Sequence, residues 1–293
     1  MPENFTPLSL ALVAGAFYGL SALFSKRALE TGAGTFRSLV WSNWAITLAF
    51  VPFPFLADRS IEAEALLPGM LLGVIFFFAQ MACFLALRRG DASVVTSVIG
   101  SKSLFVAFFL VLLGFRESLP GKIWIAALLA AVAVALLSWP SQSHRPALSS
   151  VALATFTAAS FGLTDALVPH FVKSTHPLNL LFVMVATVGI LSVPVIPFCR
   201  GRFMGWRRSA DKWLLWGSLL VAGQAILMSI AIGFYNIPTE ANIVYASRGL
   251  WSILFAVWIG SRIGVSEASA PKPVIVRRVL GAGLLIAGIC LVG

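Results

Sequence analysis

Charge is what this chain has least of. Asp, Glu, Lys and Arg make up 11% of its 293 residues, against about one quarter in an ordinary soluble domain. That scarcity excludes a soluble fold, because 59% of the residues are hydrophobic and the mean hydropathy is +0.94. The chain reads as an integral membrane protein. Cysteine is scarce too: Cys83, Cys199 and Cys290 stand far apart with no C-x-x-C spacing, and three histidines are too few to complete a metal site. No metal and no cofactor are expected. The chain also lacks HExxH, GxSxG and usefully spaced carboxylate pairs, so it is not expected to be an enzyme. Met1 to Pro7 carries Glu3 and no basic residue. The apolar run that follows therefore lacks the positive flank of a cleaved signal peptide and is expected to be a first transmembrane helix.

Apolar runs of about 20 residues, the length an α-helix needs to cross the hydrocarbon core, are abundant. They fall at 7–27, 36–56, 66–87, 92–115, 121–139, 147–169, 177–199, 213–235, 239–261 and 274–293. The expected fold is all-α, with ten transmembrane helices. A short polar segment, SQSHRP at 141–146, divides them into two five-helix units, 1–140 and 141–293. The net charge of +10 sits in short connections, where it orients the chain against a bilayer; no nucleic-acid partner is expected. Fifteen Lys and Arg fall in the connections after odd-numbered spans or at the span ends that flank them, and four in or beside those after even-numbered ones. The positive-inside rule then places both termini outside the cytoplasm.

The two units echo one another. SKSLFVAFFLVLLGFRES from Ser101 aligns with SRGLWSILFAVWIGSRIG from Ser247, FYGLSA from Phe17 with SFGLTD from Ser160, and Gln80 with Gln224, at offsets of 143 to 146. Because each unit has an odd number of helices, the second enters the membrane in the opposite sense. This is the signature of an inverted-topology repeat.

That echo sets Lys102 opposite Arg248. Each lies roughly 14–15 Å from the start of its predicted span, near the middle of a core about 30 Å thick. A cation at that depth costs at least ~2.5 kcal/mol unless it meets a partner or a wet cavity. Two arrangements answer the cost. In one, Lys102 and Arg248 line a central substrate cavity. In the other, Asp165 pairs with Arg248 to lock two helices together, which leaves Lys102 alone. Tyr245 and Asn242 precede Arg248 by three and six positions and share its helix face. Gln80 and Gln224 are candidates either for substrate contact or for holding helices together. Trp41 and Asn43, from the polar aromatic run WSNW, complete the candidate substrate-binding set.

The chain resembles the drug/metabolite transporter superfamily, specifically its EamA-like branch. The five-plus-five repeat, Tyr18–Gly19 echoed by Phe161–Gly162, and the step from Gly114 to Glu117 that ends the fourth span carry the resemblance. It departs where Ile263 stands opposite Glu117. The resemblance implies secondary transport by alternating access through a cavity built largely from the third, fourth, eighth and ninth helices. At Lys102 and Arg248 alone the chain is also similar to the triose-phosphate translocators, which implies a preference for anions.

The expected function is therefore exchange or export of a small polar metabolite, an organic anion bearing a carboxylate or phosphate ester. A zwitterion exporter using Asp165 for the amine and Arg248 for the carboxylate is the alternative, and a lipid-phosphate flippase the third. The expected partners are the substrate, the lipid bilayer and a coupling ion, either H+ or a counter-substrate. A monomer or weak dimer in a bacterial inner membrane is expected.

Overall fold

The computed structural model describes residues 5–57, 60–89, 95, 98–138, 148–199, 203, 208–263 and 272–292. Among them every regular element is helical. The principal helices are α1 (Phe5–Glu30), α2 (Thr35–Phe50), α3 (Ala63–Arg89), α4 (Lys102–Leu112), α5 (Gly121–Ser138), α6 (Leu148–Val172), α7 (Pro177–Ser192), α8 (Arg208–Gly233), α9 (Pro238–Tyr245), α10 (Arg248–Trp258) and α11 (Lys272–Val292). Among the described residues six stretches are long and apolar enough to cross a membrane: Pro7–Glu30, Thr35–Leu56, Ala63–Ala86, Leu148–Val172, Pro177–Phe198 and Ala210–Gly233. Large apolar side chains such as Phe55, Leu67, Val257 and Trp258 stand exposed on the outside. In lipid that surface carries no penalty, because the helices satisfy their own backbone polar groups.

Proline sets several helix ends. Pro52 and Pro54 follow α2 and open a single turn at Phe53–Leu56, while Pro194 and Pro197 tighten the end of α7 into the 3-10 turn Val193–Phe198. Pro169 does not end α6, which continues to Val172. Asp165 consequently lies about two turns from the C-terminal end of its helix, where a span ending at 169 leaves about one.

Two predicted spans are broken. The helix expected over 92–115 restarts at Lys102 after a turn at Gly100 and Ser101, and the one expected over 239–261 is divided by a turn at Ala246 and Ser247. The backbone tightens at both breaks: Ser101 N–H donates to Val98 O and Ser247 N–H to Val244 O, each three residues back. Each cation is thus the first residue of a new helical segment. At its far end α4 closes on Gly114, whose φ of 68° suits glycine. The Gly114 and Phe115 amides donate to Val111 and Leu110 carbonyls, the bonding of a Schellman cap.

The halves interdigitate rather than standing as separate globules. From the first half α1 packs on α8 and α10; from the second, α6 packs on α3 and α4; α5 pairs with α11. Two glycines bring the cation-bearing helices close. A Cβ on Gly19 would stand 2.8 Å from Ser252 N, and one on Gly162 would stand 2.7 Å from Phe105 Cβ. Neither approach tolerates a side chain without movement.

Candidate functional site

The breaks in the fourth and ninth spans meet in the middle of the bundle. Gly100, Lys102 and Ser103 from one, with Asn242, Tyr245, Ala246 and Arg248 from the other, line a cavity of about 10 Å³. That is the lower limit for a single water. A metabolite needs this site to open.

The two cations are compensated differently. Lys102 Nζ lies 2.7 Å from Asp165 Oδ2, reached from α6, and 5.6 Å from the Phe161 ring centroid. Asn242 Nδ2 donates to the same carboxylate oxygen at 2.7 Å and to Pro238 O at 2.8 Å. Its amide has two hydrogens, which suffice for both bonds. Arg248 pairs with no carboxylate among the described residues. Its guanidinium carbon lies 5.1 Å from the ring centroid of Tyr18 and 4.7 Å from that of Tyr245. The two tyrosine rings meet edge to face at 5.9 Å. Aromatic faces offset part of the cost of a desolvated cation. They supply no full negative charge.

Of the two arrangements open in the sequence, the Asp165–Arg248 pair does not form: Asp165 pairs with Lys102. Asp165 stands four residues after Phe161, the ring beneath Lys102, while Ala22 stands four after Tyr18, the ring beneath Arg248. One half carries an acid there and the other does not.

The structure brings Lys102, Asp165, Asn242, Tyr245 and Arg248 together. Gln80 and Asn43 form a different group. Gln80 Nε2 donates to Asn43 Oδ1 at 3.1 Å, and Asn43 Nδ2 donates to Ser192 Oγ at 2.9 Å, tying α3, α2 and α7. Trp41 packs with Ala28, Ala33, Ala210 and Leu214, with the Arg37 guanidinium 5.8 Å from its ring. Gln224 is half-buried on α8. None of these four lines the cavity.

Sequence reasoning missed Tyr18 and Phe161 as partners of the cations, although the pair stood in the echoed segment. It also counted Arg37, at the edge of the span 36–56, with the cations of the connection before it. Arg37 is instead buried in α2 and paired with Asp211 in the first turn of α8, while its Nε donates to Phe203 O at 3.1 Å. The signal missed was an acid near a helix N-terminus, where the dipole favours it. Toward the Gly114 end of α4, Arg116 lies 3.8 Å from Glu240 and donates to Asn236 O at 3.0 Å.

Residues 6–139 match the EamA-like transporter family. Residues 6–139 thus belong to the EamA-like family of the drug/metabolite transporter superfamily. A solved structure titled "Crystal structure of protein" shares the fold of this chain at a TM-score of 0.74 and 12% identity, over 98% of this chain and 96% of that one. No curated protein matches it in sequence.

Proposed function

We propose that this EamA-like transporter moves a small organic anion across the membrane as a secondary carrier, by alternating access around Lys102 and Arg248. The observation that carries the proposal is Arg248: a cation inside the bundle, at the first residue of α10, lining a cavity with no carboxylate paired to it among the described residues. A guanidinium offers a planar fork that suits a carboxylate or phosphate, and the adjoining helix N-terminus adds its own partial positive charge. An anion bound there removes the cost of the charge and favours the closed arrangement of the two halves.

A five-plus-five inverted repeat gives that site its place. Gly19 against Trp251–Ser252 and Gly162 against Phe105–Val106 are equivalent approaches under the repeat offsets, as are Arg248 over Tyr18 and Lys102 over Phe161. They support two units, 1–140 and 141–293, related by an axis in the membrane plane. The charge asymmetry of the connections supports a cytoplasmic side facing the loops after odd-numbered spans; a bacterial inner membrane is the proposed setting.

Substrate-driven closure predicts exchange: an empty carrier closes around an uncompensated cation, a loaded one around a neutralised site. In proteoliposomes, uptake of a labelled organic anion is expected to be faster into vesicles preloaded with the same anion than into empty ones. Equal rates into both would reject exchange. The zwitterion alternative requires a substrate amine to displace Lys102 or share Asp165, and amino acids in the same assay test it.

A further inference from the structure

We infer that the substrate is a monoanion carrying a single carboxylate on an otherwise uncharged body, rather than a phosphate ester, a dicarboxylate or an amino acid. The inference rests on the anion site proposed above and narrows it by charge.

The central cluster contains three ionisable groups of full charge: Lys102, Asp165 and Arg248. Lys102 and Asp165 cancel each other through contact at 2.7 Å, and Asn242 holds the carboxylate in place from α9. The nearby acid Glu240 is engaged by Arg116. One positive charge is left, on Arg248, framed by two tyrosine rings. The repeat shows how the imbalance arises. Ala22 occupies the place on α1 that Asp165 holds on α6, so only one of two equivalent cations has a built-in counter-ion.

Closure around the substrate removes water from whatever charge is inside. In a medium of low polarity the favoured complex has no net charge, because uncompensated buried charge is far more expensive than a matched pair. A monoanion on Arg248 brings the cluster to neutrality. A dianion leaves it negative, and a zwitterion leaves the original positive charge uncancelled. The tyrosine rings add apolar faces beside the guanidinium, which suits an uncharged organic body next to the carboxylate.

Three four-carbon probes separate these cases at pH 8: butyrate, succinate and 4-aminobutyrate. Binding to the full-length protein in detergent is read by calorimetry and by ligand-induced thermal stabilisation. Butyrate is expected to bind tighter than either rival by about tenfold or more, a factor within reach of one mismatched charge in a partly desolvated site. Asp165→Asn removes the internal counter-charge and is expected to move the preference toward succinate. Should that variant fail to fold, the double variant K102Q/D165N, which removes both charges of the pair together, is expected to keep butyrate ahead of succinate. Arg248→Gln is expected to abolish binding of all three.

Tighter binding of succinate by the native protein, lost in Arg248→Gln, would overturn the monoanion assignment and leave the anion site standing. Tightest binding of 4-aminobutyrate would replace it with the zwitterion transporter. If none of the three binds and Arg248→Gln behaves as the native protein, the anion site itself is rejected together with the inference.

Discussion

Lys102 and Asp165 meet at 2.7 Å across helices from different halves of the chain. The contact leaves Lys102 in a neutral pair and Arg248 with no carboxylate partner among the described residues, and it fixes α4 against α6. Removing one partner of a buried pair strands the other, at a cost of about 3–5 kcal/mol. Asp165→Ala is therefore expected to lower the unfolding temperature in detergent more than the double variant K102M/D165L, which removes both charges. A double-mutant cycle on the same readout gives the coupling directly. Additive single effects would show that the pair contributes nothing to stability.

The glycine approaches make a second test. Gly19→Ala and Gly162→Ala place a methyl within 2.8 Å of atoms on the helices that carry Arg248 and Lys102. Overpacking of this kind costs about 1–3 kcal/mol, and both variants are expected to lose stability and transport. Gly283, in α11, has open space where a Cβ would stand. Gly283→Ala is expected to be neutral or to stabilise by up to about 1 kcal/mol, the helix-propensity gain.

Tyr18 and Tyr245 are expected to matter more to the empty carrier, whose guanidinium has no anion, than to the loaded one, where they flank the substrate body. Replacing either with Leu removes a ring from the guanidinium of Arg248 and forfeits about 0.5–2 kcal/mol of cation–π compensation. The expected result in proteoliposomes is slower uptake into empty vesicles, with exchange into preloaded vesicles less affected. A loss confined to exchange would assign the rings to substrate binding.

Gln80 and Asn43 tie α3, α2 and α7 and stand outside the cavity lining. Gln80→Leu is expected to cost about 0.5–2 kcal/mol of stability and to leave the order of probe affinities unchanged. A changed order would restore Gln80 to the substrate site.

Much of the architecture is legible in sequence because crossing a membrane is a local demand. Twenty apolar residues in a row suffice to mark a span, and the echo of SKSL by SRGL suffices to set Lys102 beside Arg248. The same local logic fails at the helix breaks. The runs at 92–115 and 239–261 are apolar on both sides of Ser101 and Ser247, and hydropathy is blind to a turn. The breaks arise from tightened backbone bonding, and Gly15 on α1 lies where a Cβ would stand 2.7 Å from Ser247 Oγ.

Composition and pattern by themselves determined the membrane solvent, most of the apolar helices, the family resemblance and the placing of Lys102 and Arg248 at matching positions of two apolar runs. Tertiary structure alone decided that Asp165 faces Lys102, that Asn242 steadies it, that Arg37 finds Asp211, and that Arg248 is left to two tyrosines. The physical reason is that partner choice depends on how each helix is rotated and packed about its neighbours. A single acid such as Asp165 carries the same charge in the sequence whichever cation it meets, and only the packing of α6 against α4 selects between them.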